Sequence, residues 1–198
     1  NETRVQVVRG DLEAYSTEPV ETCRKLWRYC AEGGVANLRG ALAFAIHLLG
    51  RGPAPDEPAV LPKAGHFAPG ALALSPPSAD RSVVPIVFYR ALVQSGDTAP
   101  IESLASALDT LGLAALPVFV TSLKDREAES FLDAAFAVTP PALIINATGF
   151  AVSRLGRGHE PTVLDRPGRP VLQVSFSGSS TEAWTESSRG LSAKDLVM

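Results

Sequence analysis

From residue 83 onward, short and almost unbroken apolar runs alternate with longer stretches of helical periodicity. The runs are Val83–Tyr89, Ala115–Val120, Leu143–Thr148 and Val171–Phe176. Ile101, Leu104, Ala105, Leu108 and Leu111 fall on one helix face between the first two, with Gly112 as a cap. Ala128, Phe131, Leu132, Ala135 and Phe136 do the same between the second and third. A strand apolar on both faces has to be covered on both faces, and helical crossovers between parallel strands supply that cover. The alternation therefore implies a parallel sheet with right-handed connections.

The first third of the chain reads differently. Residues 4–8 have the pattern of a short strand. Val20, Cys23, Trp27 and Cys30 keep helical spacing, and Glu32-Gly33-Gly34 is expected to end that helix. Leu38, Leu42, Ala45, Ile46 and Leu49 mark a second helix, closed by Gly50-Arg51-Gly52-Pro53, so the two form an antiparallel hairpin. Seven of the 16 prolines then fall within residues 52–81, which reads as a connecting segment with little regular structure. The expected division is 1–51 for the strand and hairpin, 52–81 for the connection and 82–198 for the α/β domain. The expected fold class is α/β: an open, mostly parallel sheet preceded by a helical hairpin. Its order is flavodoxin-like, or it is half of a periplasmic-binding-protein-like architecture.

Composition removes several functions. With a net charge of -3, the chain has no basic footprint for nucleic acid. No apolar run approaches the roughly 20 residues that span a bilayer. Cys23 and Cys30 lie on one helix face about 10 Å apart along the axis, too far to bridge, and read as two small buried thiols. With no export signal at Asn1-Glu2-Thr3-Arg4, the expected location is the cytoplasm. The chain starts without Met, and Ser192–Met198 has the look of an interrupted helix, so an excised portion of a longer polypeptide is expected.

In an open α/β sheet, ligands bind beyond the carboxyl ends of the strands. Those ends carry Tyr89 and Arg90, then Ser122 and Lys124, then Asn146 and Thr148, then Gln173. Ser95-Gly96-Asp97-Thr98 joins them ahead of the helix begun by Pro100. Together these residues form a candidate polar crevice for a substrate. Several also suit a plainer role, because βα loops need such residues to cap helices; Asp97 or Thr98, and Ser122 or Asp125, are candidates. Neither the Gly-x-x-x-x-Gly-Lys-Ser/Thr nor the Gly-x-Gly-x-x-Gly phosphate spacing is present. His47, His66 and His159 are too scattered for a metal site; His66 sits in what reads as a turn. No Gly-x-Ser-x-Gly elbow occurs. Glu127 and Glu129 read as a solvated pair. The stretch 153–169, with Arg154, Arg157, Arg166, Arg169 and His159, reads as a solvated insertion that can attract an acidic ligand. No catalytic or metal-binding residue is assigned.

Longer motifs carry a family resemblance. Phe88-Tyr-Arg-Ala-Leu-Val-Gln-Ser-Gly-Asp-Thr-Ala-Pro-Ile101, Leu116-Pro-Val-Phe-Val-Thr-Ser-Leu-Lys-Asp125 and Asn146-Ala-Thr-Gly-Phe-Ala151 resemble the CobN large subunits of cobaltochelatases. So do Leu61-Pro-Lys-Ala-Gly-His-Phe-Ala-Pro-Gly70, Pro170–Val174 and Trp184–Leu191. Tyr89-Arg90-Ala91 and Gly96-Asp97-Thr98 favour this branch over the sister H subunits of magnesium chelatases. The resemblance implies part of a multisubunit enzyme that inserts cobalt into the corrin hydrogenobyrinic acid a,c-diamide during cobalamin synthesis. ATP would be hydrolysed on separate AAA+ partner subunits. No cofactor is expected within these residues, which alone would be inactive. The alternatives are a magnesium-chelatase H-like subunit, or a non-catalytic ligand-binding or docking α/β module. The corrin's carboxylates would suit Arg90, Lys124 or the arginines of 153–169.

Overall fold

A computed structural model describes residues 18–68, 80–149, 161–177 and 180–186. The expected strand at residues 4–8 and the stretch 192–198 lie outside them. The chain divides into two compact units. One holds the described residues up to Leu61 with Gln94–Gly96, and the other holds Pro62–Val93 and the residues from Asp97 onward.

The first unit contains helices α1 (Val20–Glu32) and α2 (Gly34–Leu48), joined by Gly33 alone. Gly34, expected to help end the first helix, instead begins the second. Gly33 has φ 65°, and a Cβ there would lie 2.6 Å from the carbonyl oxygen of Gln94; both observations demand glycine. The helices run antiparallel: Lys25 Nζ stands 5.1 Å from the centre of the Phe44 ring, and Tyr29 packs on Gly40. Tyr29 is 2% exposed and its hydroxyl donates to the Asp56 carbonyl. Buried Asn37 donates to the carbonyls of Gly33 (2.9 Å) and Ala59 (2.8 Å), and its Oδ1 accepts from Ala59 N–H. Residues 56–61, expected as connection, are thereby bonded onto the hairpin. His47 pairs through Nδ1 with the Gly52 carbonyl at 2.9 Å, just past the end of α2. Of the two free thiols Cys30 is exposed and Cys23 half-buried, so neither is the buried thiol expected; α1 buries Tyr29 instead.

The second unit is a five-stranded sheet. Its strands are β1 (Ala64–His66), β2 (Val83–Tyr89), β3 (Ala114–Val120), β4 (Ile144–Asn146) and β5 (Val171–Gln173), ordered β1-β3-β2-β4-β5. β1 is antiparallel to β3, and every other pair is parallel. Leaving β1 aside, the parallel strands take a flavodoxin-like order. Helix α3 (Arg90–Ser95) follows β2 directly, where a loop was expected. Helices α4 (Ala99–Thr110), α5 (Arg126–Val138) and α6 (Thr181–Glu186) complete the described elements. His66, expected in a turn, lies in β1 with its ring edge-on to Phe131 at 5.1 Å.

The sheet is covered as its apolar runs require. Ile101, Ala105 and Leu108 are the buried side of α4, which packs on β3 and β2. A core of Val87, Val118, Val120 and Ile144 meets Ala128, Leu132 and Phe136 of α5. Val163 and Leu164 enter the same core at 1% and 3% exposure. That end of the 153–169 stretch is therefore packed rather than solvated; residues 153–160 lie outside the described set. Arg81, just before β2, reaches Asp109 of α4 at 2.6 Å and the carbonyls of Gly112 and Leu113 in the turn that leads to β3. No helix among the described residues is long and apolar enough to cross a membrane.

Candidate functional site

The strand order defines where a crevice must lie. From β2 the chain moves to β3 on one side, then crosses to β4 on the other. The connections diverge at the carboxyl ends of β2 and β4, the switch point of an open α/β sheet. Val87 pairs with Asn146 and Tyr89 with Val120. Tyr89, Asn146 and Gln173 therefore stand on three successive parallel strands, at or near their carboxyl ends, about 4.8 Å apart per strand.

The amide side of this edge is bonded within itself. Asn146 is 6% and Thr148 2% exposed. Asn146 Nδ2 donates to Gln173 Oε1 at 2.9 Å, while its Oδ1 accepts from the Thr148 hydroxyl at 2.8 Å and the Thr148 N–H at 3.1 Å. Gln173 Nε2 closes the ring onto the Thr148 carbonyl at 2.8 Å. Three sequence candidates thus form one network that fastens β4 to β5. A buried amide must find partners, and here it finds them in its own fold.

Capping accounts for others. Asp125 is the N-cap of α5 and accepts from the N–H groups of Glu127 and Ala128. Burial raises its carboxyl, but those two N–H groups and the Lys63 ammonium outweigh it and hold it below the usual carboxylate range. Ser122 accepts from Lys124 N–H at 3.1 Å. Thr98 is the N-cap of α4, although its hydroxyl bonds the Glu102 carboxylate at 2.7 Å rather than the backbone. Asp97 beside it is exposed. Ser95 and Gly96 fall in the first unit, Gly96 with φ 77°.

The cations separate into tied and untied. Arg90 Nε donates to the Pro62 carbonyl at 3.0 Å. Arg166 pairs with Glu129 and Asp133 on α5, and these partners raise its pKa. Lys63 bonds Glu127 at 2.7 Å and meets Asp125 at 3.4 Å, and both hold its ammonium pKa up. Glu127 and Glu129, expected as a solvated pair, are accordingly split between two ion pairs. Lys124 is exposed, with no ion-pair partner among the described residues. Pro62 and Lys63 escaped the sequence reading because β1 spans three residues amid Pro and Gly, too short for a period to show. Thr121 Oγ1 at the end of β3 is buried without a hydrogen-bond partner. No group of three His, Cys, Asp or Glu side chains suited to a metal occurs among the described residues.

Fold and edge together define a doubly wound α/β domain with a polar switch-point edge. The CobN/magnesium chelatase family profile matches residues 27–198, and the chain belongs to that family. It is 43% identical over 219 aligned positions to the aerobic cobaltochelatase subunit CobN of a Sinorhizobium species, covering 98% of this chain and 17% of that protein. It is 33% identical to the subunit of the same name from Pseudomonas aeruginosa, covering 95% and 16%. The chain thus spans about one sixth of these relatives' length. A solved structure of the catalytic subunit of cobaltochelatase from Mycobacterium tuberculosis has the same fold. It matches at TM-score 0.69 and 23% identity, over 94% of this chain and 16% of that one.

Proposed function

We propose that these residues form a supporting α/β domain in the large subunit of a cytoplasmic cobaltochelatase, which inserts cobalt into hydrogenobyrinic acid a,c-diamide for cobalamin synthesis. AAA+ partner subunits would supply ATP hydrolysis. The observation that carries this reading is the 43% identity to the Sinorhizobium CobN subunit across 98% of the chain. Removing pyrrole-nitrogen protons and holding a partly dehydrated cation needs clustered His, Asp or Glu. No such cluster occurs among the described residues, so metal coordination is assigned to polypeptide outside them.

The domain's role is to hold and orient. The Asn146–Thr148–Gln173 network favours a rigid edge over one that opens to bond a ligand. Lys124 is the edge cation best placed to attract corrin carboxylates, since Arg90 and Arg166 are engaged. The test is metal insertion by the full-length subunit with its ATPase partners, offered either the corrin with cobalt or a porphyrin with magnesium. Cobalt insertion alone supports the reading, and magnesium insertion alone assigns the protein to the sister branch. Lys124→Ala should raise KM for the corrin several-fold at low salt with kcat unchanged; an unchanged KM removes Lys124 from the role.

A further inference from the structure

We propose that the outer edge of β5 receives one more parallel strand, supplied by polypeptide that follows α6 in a chain of the relatives' length. Among the described residues β5 has a single neighbour, β4. The Pro170 carbonyl accepts from Ile144 N–H, and Val174 N–H donates to the Asn146 carbonyl. Alternation along a parallel strand then points the N–H and C=O groups of Val171 and Gln173 away from β4.

β5 is three residues long and is preceded by Arg169 and Pro170, but its own side chains carry none of the charge or proline that normally blunts an edge. Val171 and Leu172 are 37% and 52% exposed. The opposite edge strand, β1, is just as short, but it is antiparallel and two of its three residues are half-buried. An exposed apolar strand is out of character for a sheet whose other parallel strands are buried. α6, which follows β5, likewise buries none of its residues and leaves Trp184 43% exposed.

Handedness says where the missing strand goes. The steps from β3 to β4 and from β4 to β5 run the same way across the sheet. Both connections pack on the face of Val87 and Ile144, through α5 and through Val163 and Leu164. A right-handed continuation carries α6 over that face, above Val171, and sets the next strand beyond β5. The result is the five-strand doubly wound order. A second copy pairing β5 to β5 would leave α6 uncovered. The relatives hold roughly five times as much polypeptide outside the matched region as within it, since the match covers 17% of the Sinorhizobium protein.

The test is amide hydrogen exchange, resolved to single residues, on the full-length polypeptide without metal or corrin. The amides of Val171 and Gln173 are expected to be as protected as that of Leu172 at every protein concentration. Exchange about 100-fold faster than at Leu172 overturns the proposal. Protection that grows with concentration does so as well, because it identifies a second copy. Val171→Pro removes an outward N–H without touching the β4 ladder. It should abolish protection across α6 while the melting of β2 and β3 stays unchanged; retained α6 protection refutes the crossover.

Discussion

Gly40 lies in α2, where alanine would ordinarily stabilise a helix by about 1 kcal/mol. Here a Cβ would sit 2.5 Å from the Tyr29 ring. That ring is held by Phe44 at 6.2 Å and by the Asp56 carbonyl, so it has nowhere to move. Gly40→Ala should therefore destabilise by about 1–3 kcal/mol, checked by urea unfolding; a stabilised variant would mean that the helices separate easily. Asn146 offers a similar contrast. Asn146→Ala leaves the Thr148 hydroxyl and the Gln173 amide short of partners and should cost about 2 kcal/mol of stability. A variant of unchanged stability but weakened corrin binding would return Asn146 to the list of ligand contacts.

The elements that pack against long apolar runs were legible in the sequence. Val83–Tyr89 was placed to the residue, and the faces of α4 and α5 follow Ile101, Ala105 and Leu108 and Ala128, Leu132 and Phe136. Where structure rests on long-range bonds, local pattern carried no signal. β1 exists because β3 offers Ala64–His66 a free edge, and residues 56–61 are ordered because Asn37, 22 residues earlier than Ala59, binds that backbone. The candidate site was legible as a place and not as a set of roles: strand ends could be located, but only the register brought Asn146 to Gln173. α5 carries a prediction of its own. Because the folded Asp125 pKa is depressed, its contribution is fully present above the unfolded value of about 3.9 and is lost as pH falls through the folded one. In thermal melts between about pH 7 and pH 3, the wild type should lose midpoint more steeply than Asp125→Asn. Parallel curves would show that the cap contributes nothing through its charge.

At the scale of the whole molecule, the described residues hold a fold that matches a much larger enzyme's subunit and a switch-point edge occupied largely by its own bonds. Trp184 in α6 reports on the second unit and Trp27 in α1 on the first. In a corrin titration of the full-length subunit, wild-type affinity should fall as salt rises, and Lys124→Ala should bind more weakly at low salt and depend less on salt. Equal affinity at low and high salt would place the corrin away from this edge.

The strand order also governs how the polypeptide emerges during synthesis. β1 is made early, yet β3, its strand partner among the described residues, ends 54 residues later, from His66 to Val120. At about 5–20 residues per second on the ribosome, β1 waits roughly 3–11 s before it can pair. With Gly65 at its centre and Lys63 at its entrance, it is too poorly apolar to recruit another strand during that wait.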